Sequence, residues 1–172
     1  MTDTQNPKPD VEQVKKLIMD APIGSYIGEE GAAIMAERAC SEIHLKDGEY
    51  LFHKGEKTTS FYLVAEGRLA RIKERKNGKK PRILHTLEKG DLVGELSFID
   101  DSDHALSVIA LGDATVLQFK AENIKPLITE HPQLMFDFMR AVIKRVHHTV
   151  TEISKQQMAL SEYIGTAGKG RL

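Results

Sequence analysis

The residues best equipped for chemistry lie in one stretch, Gly94-Glu95-Leu96-Ser97 followed by Asp100, Asp101, Asp103, His104 and Ala105. A strand runs into the Gly94-Glu95 turn, a short apolar helix is predicted over 96–99, and an acidic loop leads to the next strand. Backbone N–H groups in the first turn of a helix have no partner inside it and can hold an anion. Glu95 stands beside them, where a carboxylate repels an anion unless it faces a hydroxyl donor. A ligand with a phosphate next to a ribose hydroxyl satisfies both features. The plainer alternative is that Glu95 accepts local backbone N–H bonds and His104 is an ordinary loop residue, leaving the segment as scaffold. The three aspartates oppose an anionic ligand and favour a protonated His104.

Other chemistry finds little support. His44, His53 and His85 are scattered along strand-like segments, without the His-x-His spacing of a metal-binding jelly roll. No nucleophile–base pair is recognisable, so no catalytic residue and no metal ligand is expected. A single cysteine, Cys40, excludes an intramolecular disulfide and a thiolate cluster, and fits an inert packing thiol at the start of a strand.

The 172 residues carry a formal net charge of −1, with 41% hydrophobic and 28% charged residues. That is ordinary for a globular domain, and no global field draws the chain to nucleic acid or an anionic membrane. The polar N-terminus lacks the apolar core of a signal peptide, and no apolar run reaches membrane-span length. A cytoplasmic location is the expectation, with no direct contact to nucleic acid or membrane.

The elements that must position the stretch are strands. Strand candidates are 41–46, 50–53, 61–65, 68–74, 82–87, 107–111 and 115–120, broken at glycines, with Asn77-Gly78 as a type I′ hairpin signal. Many short strands without alternating helices predict a sandwich or barrel rather than a parallel α/β sheet. Two helices are predicted before them, over 11–19 and 29–39, and a third over 121–128. Pro132 then opens a segment free of Gly and Pro until Gly165.

Along that segment Met139, Ile143, Val146, Val150, Ile153, Gln157, Leu160 and Ile164 step by alternating four and three residues. Such a strict repeat predicts a coiled-coil seam, with Gln157 setting register in a parallel homodimer. The alternative is a first half packed on the barrel and a second half in solution. A helix over 133–164 would reach roughly 48 Å at 1.5 Å per residue, longer than a small barrel is wide. Arg140, Lys144, Arg145, His147 and His148 fall off the seam and predict a solvated basic face.

Several of these segments together resemble the cyclic-nucleotide-binding domains of catabolite-activator and kinase-regulatory-subunit type. Gly94-Glu95-Leu96-Ser97 looks like the start of their phosphate-binding cassette. Lys46-Asp47-Gly48-Glu49-Tyr50-Leu51-Phe52-His53-Lys54-Gly55-Glu56 is similar to their first glycine turns. Phe61-Tyr62-Leu63-Val64-Ala65-Glu66-Gly67-Arg68 is similar to their tyrosine-rich strand and Glu-Gly turn. The resemblance runs from about residue 24 to 131. It implies that Glu95 accepts a hydrogen bond from the ribose 2′-hydroxyl and that the Leu96 and Ser97 amides bind a cyclic phosphate. The arginine that clamps the phosphate in the family is absent. His104 takes its place, Asp103 replaces a common proline, and an imidazole cannot match a guanidinium's bidentate charge. Ala105 is similar to the small residue of cAMP-type sites.

The expected fold is mainly β with flanking helices: a β-roll or jelly-roll barrel with short N-terminal helices and a long C-terminal helix. The expected organisation is a flexible tail over 1–10, N-terminal helices over 11–39, and a cyclic-nucleotide-binding barrel over 40–130. A dimerisation helix over 131–164 and a flexible tail over 165–172 follow. After residue 164 too few residues remain for a helix-turn-helix. The expected function is regulatory and non-enzymatic. A cyclic mononucleotide, cAMP before cGMP, occupies Gly94, Glu95, Leu96, Ser97, His104 and Ala105 and acts on an unidentified protein effector through the last helix. The competing expectation is a ligand-free dimeric adaptor.

Overall fold

The computed structural model describes residues 9–39, 41–75 and 79–167. Cys40 and the Asn77-Gly78 turn lie outside the described residues, as does most of the predicted N-terminal tail. Two helices, α1 (Val11–Asp20) and α2 (Gly24–Glu37), precede eight strands: β1 (Ser41–Leu45), β2 (Tyr50–Phe52), β3 (Ser60–Glu66), β4 (Leu69–Lys73), β5 (Arg82–Leu87), β6 (Leu92–Val93), β7 (Ser107–Ala110) and β8 (Ala114–Lys120). Helix α3 (Glu95–Asp100) interrupts them between β6 and β7, and α4 (Ala121–Ile124), α5 (Leu127–Glu130) and α6 (Pro132–Ala167) follow.

The strands form two four-stranded sheets, ordered β1-β8-β3-β6 and β2-β7-β4-β5, and every pairing is antiparallel. This is the expected mainly β roll with flanking helices. The central strand β3 explains how it is held together. Side chains alternate across a strand, so Tyr62 and Val64 point one way and Phe61 and Leu63 the other. The first pair joins Leu69, Leu87, Val93, Val108 and Val116 in the barrel interior. The second joins Val14, Ile18, Met35, Leu134 and Phe138 under the helices. Strand β3 is therefore buried on both faces, and its near-continuous apolar run follows from that.

Differences from the sequence expectation have local causes. Helix α2 begins at Gly24, not at 29, and contains a break at Gly28, whose φ is 68°. Burial of Ile23 and Ile27 holds the early turn in place despite two poor helix formers. The helix expected over 121–128 is split into α4 and α5 at Lys125-Pro126, because proline supplies no N–H to continue the ladder. Helix α6 runs past Gly165 to Ala167, spanning roughly 54 Å at 1.5 Å per residue. The two-residue strand β6 is too short to register as a sequence signal.

Helix α6 has two unlike halves. Leu134, Met135, Phe138, Ala141 and Val142 are buried against the helices and β3. Beyond them, Val150, Ile153, Leu160 and Ile164 are exposed, as are Ile143 and Met139 nearer the body of the domain. Val146 is half-buried and Gln157 exposed. Among the described residues, no helix is long and apolar enough to cross a membrane.

Candidate functional site

The site begins where β6 ends. Gly94 takes a left-handed conformation (φ 75°), and a Cβ there would sit 3.3 Å from the His104 ring, so glycine satisfies both backbone and space. The chain then turns into α3, whose first intrahelical bond is Phe98 N–H to the Gly94 carbonyl at 3.1 Å. The amides of Glu95, Leu96 and Ser97 precede it and have no acceptor within the helix. Around them lies a cavity of about 150 Å³, lined by Gly94, Glu95, Leu96, Ser97, His104 and Ala105 together with Phe52, Arg71, Leu106 and Val108. All six residues named from the sequence thus line one cavity.

Glu95 is the unusual group. Its side chain is only 4% exposed, and burying a carboxylate is costly unless it is paired. Two guanidinium groups face the same oxygen: Arg71 Nη2 at 3.8 Å and Arg145 Nη1 at 4.0 Å from Oε1. Both distances exceed hydrogen-bonding range, so the charges are balanced without the oxygen being tied up by either arginine. Arg145 is otherwise anchored, donating to the Leu92 carbonyl at 3.1 Å and lying 3.8 Å from Asp91. Burial draws the Arg71 pKa below the usual arginine value, with Glu95 opposing that shift.

His104 is placed differently from an anion clamp. It is 3% exposed and stacks on Phe52 with centroids 3.6 Å apart. Its Nε2 lies 2.9 Å from the Thr58 hydroxyl. The same hydroxyl lies 3.3 Å from the Ser60 carbonyl, so Thr58 ties the His104 ring to the start of β3. The backbone is fixed too, through His104 N–H to the Glu56 carbonyl and Gly55 N–H to the His104 carbonyl. Neighbouring acids were expected to favour the protonated ring. Burial outweighs the pull of Glu56 and Asp103, however, and the pKa falls below its ordinary 6.5. Two aspartates of the acidic loop are engaged elsewhere: Asp100 accepts from Ser102 and Asp101 pairs with Lys57 at 3.1 Å.

Sequence inspection missed both arginines. Arg145 was assigned to a solvated basic face, yet it reaches back into the sheet. Arg71 carried a usable signal: it stands two residues after Leu69, a barrel-core residue on the same strand, so strand alternation aims it inwards. Also unforeseen is a chain of rings. Phe61 contacts Phe98 of α3 at 5.0 Å and Phe138 of α6 at 5.2 Å, joining the cavity's helix to the long helix.

Among the described residues, no group of three or more His, Cys, Asp or Glu side chains could hold a metal ion. A groove of about 420 Å³ lies between α2, the Gly90-Asp91 turn and α6, with Arg145 as part of its wall.

Comparison with known proteins agrees with this architecture. A relative, the lysophospholipase NTE1 of Cryptococcus neoformans, is 30% identical over 106 residues, covering 62% of this chain and 6% of that enzyme. The cAMP-bound regulatory domain of Toxoplasma gondii protein kinase A superposes with a TM-score of 0.66 at 22% identity, over 80% of this chain and 50% of that one. The regulatory subunit of a cAMP-independent protein kinase A from Trypanosoma brucei gives 0.63 at 19% identity, over 80% and 47%. At such identities the two structures establish the shared fold. The profile of the cyclic nucleotide-binding domain matches residues 42–131, more than half of the chain, and spans every element that builds the cavity. With the roll, the Gly94-Glu95 turn and this match in agreement, the chain belongs to the cyclic nucleotide-binding domain family.

Proposed function

We propose that this domain is a regulatory module that binds a cyclic mononucleotide in the Glu95 cavity, cAMP in preference to cGMP, and signals through α6. The observation that carries this reading is the buried Glu95 carboxylate, balanced by two arginines but bonded by neither within 3.8 Å. A ribose 2′-hydroxyl donating to Glu95 supplies the short hydrogen bond that neither guanidinium makes. The Leu96 and Ser97 amides, unpaired within α3, donate to the cyclic phosphate. Ala105 is exposed at the cavity rim and leaves room beside that phosphate. The co-crystallised cAMP of the Toxoplasma neighbour supports the choice of ligand.

Two contacts lead from this cavity to α6. Arg145 faces Glu95 from the long helix, and Phe98, Phe61 and Phe138 form a packed path from α3. A ligand that engages Glu95 and α3 changes what α6 is anchored to, which is a coupling between two sites through one movable element. The exposed residues Met139, Ile143, Val150, Ile153, Leu160 and Ile164, with Val146 and Gln157, form the seam of a parallel homodimer. In that arrangement the helix presents occupancy to a protein effector.

A second reading has its own observation. His104 is spent on Phe52 and Thr58, so no cassette side chain offers a cation, and the Trypanosoma neighbour is described as cAMP-independent. A ligand-free dimeric adaptor is consistent with both. Titration calorimetry with cAMP and cGMP separates the two: saturable heat, stronger for cAMP, supports the sensor, and no heat at millimolar nucleotide leaves the adaptor.

A further inference from the structure

Resting on the cyclic-nucleotide reading above, we infer that Arg71, on strand β4 opposite the cassette, is the residue that clamps the cyclic phosphate in this protein. The cassette itself offers no guanidinium, and the His104 ring, though it lines the cavity, is engaged by Thr58 and Phe52. Arg71 lines the same cavity as Gly94, Glu95, Leu96, Ser97 and Ala105. Its side chain is 28% exposed, so the head is partly desolvated yet reachable from the cavity.

The two arginines beside Glu95 differ in how their donors are used. Arg145 gives one N–H to the Leu92 carbonyl and has Asp91 as a second ionic partner. Arg71 has Glu95 as its ion-pair partner at 3.8 Å, and its guanidinium makes no hydrogen bond among the described residues. A guanidinium holds five N–H donors in a fixed fork suited to a phosphate's paired oxygens. Once Glu95 takes the ribose hydroxyl, the ring phosphate lies within a few ångströms of that carboxylate, because the two groups share one sugar. Arg71 then meets an anion with its donors free, and the phosphate is held between the α3 amides on one side and β4 on the other. The clamp has moved across the barrel.

The test compares cAMP with adenosine, which keeps the ribose and base but has no phosphate, using calorimetry on the full chain. Arg71→Gln is expected to weaken cAMP by about 10- to 100-fold, the worth of a charge-assisted contact, and to leave adenosine unchanged. Arg71→Lys should recover part of the loss. Ala105→Arg in the Arg71→Gln background should recover more, because Ala105 is exposed at the rim and a guanidinium there re-creates a cassette clamp. Equal cAMP affinity in wild type and Arg71→Gln overturns the clamp and leaves the cyclic-nucleotide site standing. Parallel weakening of cAMP and adenosine also overturns it, assigning Arg71 to the sugar or base. Absence of cAMP binding by the wild-type chain ends both the clamp and the site.

Discussion

Arg145 of the long helix lies 4.0 Å from Glu95, 50 positions earlier in the chain, and also donates to the Leu92 carbonyl of β6. The carboxylate assigned to the ligand and the helix assigned to the output thus share one ionic cluster. Glu95 and Asp91 carry two negative charges there, and Arg71 and Arg145 two positive ones. Any variant of Glu95 therefore acts on the cavity and on α6 together.

Glu95→Gln removes one charge and leaves two guanidiniums facing a single carboxylate. Unfolding in urea should show a loss of about 1–3 kcal/mol, in the range for stranding a partly buried polar partner. Nucleotide affinity should fall about 10- to 100-fold, because a neutral amide is a weaker acceptor for the ribose hydroxyl. A variant as stable as wild type would show that the cluster contributes little to the fold.

Phe138 is buried and touches Phe61 at 5.2 Å. Phe138→Ala should cost about 3–5 kcal/mol in guanidinium unfolding, the usual outcome for a phenylalanine deleted from a packed core. Phe98→Ala, at the other end of the ring chain, should leave cAMP affinity closer to wild type while reducing its effect on hydrogen exchange along α6. An undiminished α6 response in that variant would remove the rings from the relay.

The buried His104 gives stability a direction with pH. Its folded pKa is lowered by burial, so the unfolded chain binds the proton more readily. With more protons bound in the unfolded state, stability rises with pH in that window. This contribution is fully present above about pH 6.5 and is lost as the pH falls towards the lowered folded value. Denaturation between pH 7.5 and 5.5 should show the decline, and His104→Asn should flatten it. His104→Arg should destabilise the fold rather than restore a clamp, since the position stacks on Phe52 inside the barrel.

The α6 seam is tested by charge. Ile153 is half exposed, so a glutamate there is tolerated by a lone chain and repelled in a parallel pair. Sedimentation velocity should report a dimer for wild type and a monomer for Ile153→Glu, with unchanged circular dichroism at the barrel's wavelengths. A monomeric wild type would refute the seam.

How much of this was legible in the sequence depends on how local each feature is. Strand β5 matched its expected range, 82–87, because a short run free of Gly and Pro is a property of neighbouring residues. Turn glycines were equally readable. Gly67 has φ 72°, and a Cβ there would lie 2.3 Å from the Asp113 carbonyl, so no other residue fits without movement. The cavity's rim, from Gly94 to Ala105, is one continuous segment and was visible for that reason. Arg71 and Arg145 come from elements far apart in the chain, and only tertiary packing brings them to Glu95. The side-chain partners of His104 have the same origin: counting along the cassette fixes its position but not that its ring meets Thr58 and Phe52.

An amide-resolved NMR titration of the wild-type chain with cAMP tests the central claim most directly. Saturable shifts should centre on Gly94, Glu95, Leu96 and Ser97, include Arg71, and extend along α6 from Arg145. A spectrum unmoved by millimolar cAMP, or one whose shifts avoid residues 94–97, would contradict it.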